Sequence, residues 1–538
     1  MQQARPGINR RQRSPAADAC LRVRLSRERH TPAHRPSGEP ACGSDWAVKA
    51  VALRPSGEHA GRPHAAGIEG GNVVHEPDWK GPLGEAFEQA VAYLESLPER
   101  PVGSRADLDE LRAALGGPLP EEPQDPREVD AALATAAEPG LMASGSGRFF
   151  GFVIGGATPA ALAADWLTST WDQNAGLHIL GPAVSVAEEQ AGRWLAELFG
   201  LPAGVSVGFV TGGQMANFTA LAAARHEMLR RAGWDVETAG LPGAPPLRVL
   251  AGAGRHDTID RALRFLGLGT GAIVPVEMDD QGRMHPDALR RALAGGRGPA
   301  IVCAQAGNVN SGAVDPLTEI CEVAHEAGAW VHVDGAFGLW AAASPRLRPL
   351  VAGVELADSW ATDAHKWLNV PYDSGVVLCA HPEAHRAAMG VRAVYLIHAS
   401  GAERDEVDYT PEFSRRARSL PVYAAIRALG RSGVAALVER CCALASRFAE
   451  GLAAADGVVV LNEVVLNQVL VRFHAADGGH DAHTRRVVER VQDDGTCWMS
   501  GTTWRGQAAM RISVSNWTTD EADVDRSVAA ILRCARAG

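Results

Sequence analysis

The 538-residue sequence predicts an α/β protein: a mostly parallel sheet flanked by helices, followed by a small C-terminal α+β domain. Two observations predict it. Short apolar runs at 205–210, 248–251, 272–276, 300–304, 329–333 and 374–379 have the length and composition of buried strands. Helical patterns lie between them, as at 214–231 and 286–293, and such alternation argues parallel pairing through crossovers. Ligands in such sheets bind beyond the carboxyl ends of the strands. Thr211 and Asp334 each follow one of these runs directly.

The flanking parts read differently. Residues 1–78 crowd Arg5, Arg10, Arg11, Arg13, Arg22, Arg24, Arg27, Arg29 and Arg35 among Pro, Gly, Ser and His, with no apolar period, so they are not expected to fold alone. They lack the apolar core of a secretory signal. A disordered tail, a start codon set too far upstream and a transit peptide all remain compatible with them. Residues 79–145 are expected to be helical, with Leu83, Phe87, Val91 and Leu94 on one face and proline-rich breaks at 117–126. Residues 146–400 form the large domain, and 401–538 a lid, a linking helix and the small domain. The polar stretch 400–411 carries four acids and reads as a mobile lid. Strands are expected at 458–461, 464–473 and 508–514, and a closing helix at 520–535 with Thr519 and Asp520 at its start.

Composition excludes several classes. The net charge of −11 gives no general attraction to nucleic acid. No uninterrupted apolar run approaches the roughly 20 residues of a membrane span, so no membrane partner is expected. The nine cysteines form no CxxC pair and no zinc spacing, and the chain reads as cytoplasmic with no metal site. Cys303 and Cys379 read as core thiols.

The chemistry concentrates between Trp330 and Leu368. The run Trp330-Val331-His332-Val333 ends in Asp334-Gly335-Ala336, and Thr362-Asp363-Ala364-His365-Lys366-Trp367 follows downstream. An acid at a strand end and a later lysine are what pyridoxal phosphate needs. The lysine holds the cofactor's aldehyde as an imine, and the carboxylate keeps the pyridine nitrogen protonated. Taken alone, Lys366 would be a solvated surface charge and Asp334 a turn acid. The flanking Asp363, His365 and Trp367 instead make a polar pocket with an aromatic wall.

The patterns His-Val-Asp-x-Ala and His-Lys-Trp resemble the pyridoxal-phosphate-dependent decarboxylases that include the aromatic-amino-acid and glutamate decarboxylases, over about residues 83–536. The resemblance implies fold type I and decarboxylation of an L-amino acid to its amine, in a homodimer clasped by the N-terminal helices. It makes Lys366 the imine lysine, Asp334 the partner of the ring nitrogen, and Ala336 the residue flat on one ring face. His256 stacks on the other face and steers the carboxylate. The turn Thr211-Gly212-Gly213-Gln214 opens a helix, where free N–H groups attract phosphate, and the resemblance places the phosphate on Gly213 and Gln214. Thr362 can offer it a hydroxyl, or be structural. His365 completes the cofactor set. Arg511, before Ser515-Asn516, would hold the substrate α-carboxylate. Tyr409 would return a proton to the α-carbon, and Phe150 would lie near the substrate side chain. The segment 308–312 stands where relatives carry hydroxyl residues, so a plain turn is the even alternative. Transamination, aldehyde formation or carbon–carbon lyase activity fit the same fold, and a cofactor-free binding protein is the reading of another class. The apolar 149–154 segment favours an aromatic or aliphatic side chain over glutamate.

Overall fold

In a computed structural model the described residues are 78–391 and 403–537. The central sheet has seven strands: β1 (Ser206–Val210), β2 (Arg248–Gly252), β3 (Ile273–Val276), β4 (Ala300–Gln305), β5 (Trp330–Asp334), β6 (Ser359–Asp363) and β7 (Gly375–Cys379). Their spatial order is β1-β7-β6-β5-β4-β2-β3. All neighbours pair in parallel except β7, which runs antiparallel between β1 and β6. Six strands lie where apolar runs predict them. The seventh, β6, is Ser-Trp-Ala-Thr-Asp and is buried throughout. Its polar side chains find partners from other elements: Ser359 Oγ accepts the Trp330 indole N–H at 2.9 Å.

This order brings the carboxyl ends of β1, β4, β5 and β6 to one edge. The start of β7 passes so close to the turn after β1 that a Cβ on Gly375 would sit 2.4 Å from Gly212 backbone, so only glycine fits there. The core beneath holds Trp330, Trp340, Trp360 and Trp367, all fully buried. Burying each large apolar side chain stabilises the fold by roughly 1.5–3 kcal/mol. The Trp340 indole also donates to the Asp363 carbonyl at 3.1 Å, fixing the end of β6.

The small domain is a four-stranded antiparallel sheet of β8 (Val458–Val460), β9 (Gln468–Phe473), β10 (Ser500–Trp504) and β11 (Gln507–Ser513), in order β10-β11-β9-β8. The edge strand β10 has a small, polar sequence and gives no apolar signal. The closing helix spans Glu521–Arg536, with Asp520 as its cap. The linking helix Ser419–Ala453 is kinked at Gly430, which adopts φ 62°. The N-terminal part forms helices Lys80–Ser96, Leu108–Leu115 and Pro126–Ala137, none of which buries a residue. Of the expected basic extension, all but Asp78 lies outside the described residues.

The lid expectation is corrected where it can be compared. Residues 405–410 are buried, not mobile surface. Ser185 Oγ donates to Glu406 at 2.9 Å, and just beyond them the Arg415 guanidinium pairs with Glu188 at 3.0 Å with both side chains fully buried. Residues 400–402 lie outside the described part.

Candidate active site

A cavity opens at the carboxyl edge of the sheet. β1 and the helix Gly213–Arg231 contribute Gly213, Gln214 and Asn217; β5 and its exit contribute Asp334, Ala336 and Phe337; β6 and its exit contribute Asp363 and Lys366. His256, Thr258, Gln305, Gly307 and Val309 complete the wall. Gly213, Gln214, His256, Asp334, Ala336 and Lys366, all singled out by sequence, are thus brought together.

Lys366 Nζ lies 3.1 Å from Asp363 Oδ2. Asp363 Oδ1 accepts the Gly213 N–H at 2.5 Å, the first free donor of the helix. A Cβ on Gly213 would stand 2.8 Å from Asp363 Oδ2. The backbone can therefore approach an anion here only because residue 213 has no side chain. The lysine loop is fixed from two sides. Asn369, in the left-handed conformation at φ 55°, donates through Nδ2 to the Trp367 and Ser515 carbonyls. Gly155 passes so close to the Lys366 carbonyl that a Cβ would meet it at 1.8 Å. Gly155 thus serves the lysine loop.

Asp334 is 6 % exposed and accepts from Asn217 Nδ2 at 3.1 Å and from the Ala336 N–H at 3.2 Å. These donors satisfy a buried carboxylate and leave room for a cationic partner. His256 caps the helix Asp257–Phe265 through Nδ1, which accepts the Thr258 N–H at 3.3 Å. The Gln214 side chain turns to the Thr258 carbonyl at 3.3 Å, leaving its backbone at the helix start.

Other expected residues are placed differently. Thr362 is fully buried, and its hydroxyl points to the Ala336 carbonyl at 3.5 Å. His365 stands behind the wall: its Nδ1 accepts the Ser374 N–H at 3.1 Å, Nε2 lies 3.4 Å from Asp363, and Tyr372 stacks on its ring at 4.3 Å. Burial holds its imidazole below the usual histidine range. Phe150 is a core residue packed edge-on against Phe448 at 4.8 Å, which corrects the expectation of a substrate contact. Its neighbour Phe152 takes φ 58°, followed by Val153 at φ 79°, and this strained pair turns the Phe152 ring outward against Trp498. Tyr409 is also corrected. It is buried under Arg404, whose guanidinium lies 4.2 Å from the ring centre, and its hydroxyl accepts from Arg386 at 2.7 Å. It does not line the cavity.

Arg511 pairs in register with Ser500, so the two side chains share a face of the small sheet with Thr502. That face meets the cavity loop, because Thr502 Oγ1 donates to Asn310 at 2.8 Å. Arg511 makes no ion pair among the described residues, and burial alone pulls its pKa down. Asn308 builds a turn by accepting the Asn310 N–H at 2.9 Å, and Val309 faces the cavity.

Sequence reasoning missed Asn217, Thr258 and His332. Asn217 lies one helical turn after Gly213, and His332 two residues before Asp334 on the same strand face, so spacing alone marked both. The residues present fit pyridoxal phosphate: a glycine turn at a helix start, a buried carboxylate with space beside it, a flat small residue at 336 and an amine across from them.

Comparisons with known proteins agree. The sequence matches the family model described as the pyridoxal-dependent decarboxylase conserved domain over residues 109–474, more than half of the chain. It is 27% identical to an aromatic-L-amino-acid decarboxylase of Bacillus atrophaeus, covering 81% of this chain and 91% of the relative. It is 30% identical to an L-2,4-diaminobutyrate decarboxylase of Rhizobium meliloti, covering 81% and 86%. Among solved structures, the Oryza sativa TDC with PLP and tryptamine superposes with TM-score 0.80 at 25% identity, covering 87% of this chain and 99% of that one. The chain therefore belongs to the pyridoxal-dependent decarboxylase family, and it is a carboxy-lyase that uses pyridoxal phosphate to decarboxylate an amino acid.

Proposed function

We propose that the substrate is an L-amino acid with an uncharged aromatic or aliphatic side chain, and that the working form is a homodimer. One observation carries the substrate reading. Beside Lys366 and His256 the cavity offers Val309 and Phe337, and no arginine among its described lining residues. With Arg511 of the adjoining small-sheet face assigned to the α-carboxylate, a side-chain carboxylate would find no charge-assisted arginine partner among those lining residues.

The bound cofactor supplies an electron sink for the pair left when carbon dioxide departs. The chain's residues do the rest. Lys366 Nζ would hold the cofactor and is the amine at hand to move a proton. Asp334 pairs with the ring nitrogen and keeps it cationic. The helix start at Gly213 and Gln214 would take the phosphate, the Gly213 N–H giving up its bond to Asp363. Ala336 and His256 cover the two ring faces. Arg511 holds the α-carboxylate. Thr362 and His365 brace the loop from behind.

The dimer reading rests on exposed apolar residues in one region: Leu83, Phe87 and Leu133, with Trp166, Trp171, Ile179 and Val186 nearby in sequence. Phe87 meets Trp166 edge-on at 6.3 Å, which joins the N-terminal helix to this set. Patches of this kind mark protein interfaces, and sedimentation equilibrium reads the mass directly. A cytoplasmic location is supported by seven free, buried cysteines among the described residues. No helix among those residues is long and apolar enough to cross a membrane.

The test is product analysis by mass spectrometry, with a carbon dioxide trap, after incubation with each common amino acid. An amine from an aromatic or aliphatic substrate is expected; turnover of glutamate alone would contradict the reading. An aldehyde is the second outcome to weigh. The placement of Tyr409 away from the cavity favours it, and a 4-hydroxyphenylacetaldehyde synthase of Rhodiola rosea is 28% identical to this chain.

A further inference from the structure

The polar side chains behind the cavity converge on one amide. Asn217 is 1 % exposed, in the second turn of the helix Gly213–Arg231. Its Nδ2 lies 3.1 Å from Asp334 Oδ2 and 3.0 Å from Thr258 Oγ1, and its Oδ1 lies 2.9 Å from His332 Nε2. An amide nitrogen only donates and a carboxylate only accepts, so Asp334 fixes which way the amide faces. The amide oxygen then faces His332 Nε2, which must carry the hydrogen.

His332 is fully buried, and burial pushes its pKa down to about 4. The ring is neutral, so Nδ1 is an acceptor. It faces Ser359 Oγ at 3.1 Å, and the serine hydroxyl must donate to it. Ser359 in turn accepts the indole N–H of Trp330 at 2.9 Å. An indole N–H can only donate, so its bond to Ser359 leaves the serine hydrogen for His332 Nδ1 and agrees with the directions set from Asp334. The other branch closes in the same way. Thr258 Oγ1 accepts from Asn217, so its hydrogen is free for His256 Nδ1 at 3.0 Å, beside the Thr258 backbone N–H. His256 Nδ1 is then an acceptor, and the ring's hydrogen sits on Nε2.

We propose that Trp330, Ser359, His332 and Asn217 form a one-directional hydrogen-bond relay that holds Asp334 as an acceptor-only carboxylate for the cofactor's ring nitrogen and sets His256 in its Nε2–H form. The relay rests on the reading of Asp334 as the ring-nitrogen partner. Trp330, Ser359 and His332 do not line the cavity and act through Asn217, which does, so these three are positioning residues. Chains of this kind polarise one another in a dry interior. Cutting the relay frees the amide to turn its oxygen toward Asp334 and leaves that carboxylate short of a donor.

The test compares the affinity of the cofactor-free protein for pyridoxal phosphate and for its 1-deaza analogue, in which carbon replaces the ring nitrogen. Equilibrium dialysis serves as the readout. Wild-type protein should bind the natural cofactor more tightly, and failure to do so would overturn the Asp334 reading itself. His332→Leu should loosen the natural cofactor by about tenfold, as for a lost bond to a charged group, and leave the analogue unchanged. His332→Gln can donate to Asn217 and accept from Ser359, so it should restore most of the difference. Ser359→Ala, the mildest change, should shift the natural cofactor in the same direction and keeps the test decisive should His332→Leu not fold. Equal losses for both ligands, or an unchanged preference for the natural cofactor in Ser359→Ala and His332→Leu, would overturn the relay.

Discussion

The carboxyl edge of the sheet and the 403–418 segment both bury acids beside basic groups, but only the first leaves them facing a cavity. At the edge, Asp334 and Asp363 are served by amide and backbone donors and by one lysine amine. In the segment, Arg415 reaches across to Glu188 and also donates to the Ala175 and Phe209 carbonyls, closing the region. Burial, and then the neighbouring Glu188, hold Glu406 well above the usual carboxylate range. Few strong cations leave an acid available for a ligand; a guanidinium with several acceptors locks it into structure.

That contrast is sharpest where the closed region is cut. Arg415→Met strands Glu188 in the interior and should cost about 3–5 kcal/mol in denaturant unfolding. The double change with Glu188→Gln should recover most of it, since no uncompensated charge is left. An equal loss in the double variant would mean that packing, not charge, holds the segment. At the open edge, Asp363→Asn keeps an oxygen for the Gly213 N–H but removes a negative charge from beside the proposed phosphate site. Its cofactor dissociation constant should fall several-fold in dialysis, and a rise would show that the Lys366–Asp363 pair organises the site for binding.

A smaller effect is expected from Tyr409→Phe. It removes the bond from Arg386 and should cost about 0.5–1.5 kcal/mol of stability, with turnover unchanged. A collapse of turnover, or a switch from amine to aldehyde, would restore Tyr409 to the chemistry. The smallest effect concerns the sheet's amino end, where the Asp358 carboxylate lies 3.1 Å from His325 and 2.8 Å from His381. The hydrogen bond to Asp358 raises His325 above 6.5. Its contribution is complete below about pH 6.5 and is lost as pH rises through the raised value. Melting temperature should therefore fall slightly from about pH 6 to about pH 8, and the fall should vanish in His325→Gln. The Asp358 carboxyl, with a pKa of about 2, loses its own contribution only in acid, as pH drops from 3.8 toward that value.

Much of this molecule is legible in the chain because its strands are short apolar runs with helices between. Strand β6 escapes that signal, since Ser359, Thr362 and Asp363 are polar; the first two find partners in β5 and the turn after it, and Asp363 in Gly213 and Lys366. Lys366 and Asp334 stand out by motif. Asn217 and His332 are marked only by spacing, and their meaning arises when a helix is laid across β5. Tyr409 misleads for the opposite reason. Its acidic surroundings look solvated until Arg386 arrives from the helix Pro382–Met389, Arg404 folds over the ring and Arg415 meets Glu188. Phe150 and Phe152 differ by two positions, and only the left-handed turn at 152–153 decides which faces inward.

The central claim is that Lys366 is the amine that carries the cofactor. Borohydride reduction of the loaded enzyme, followed by digestion and mass spectrometry, should leave a pyridoxyl group on the peptide holding Lys366 and on no other lysine. A reduced protein with that peptide unmodified would contradict the account.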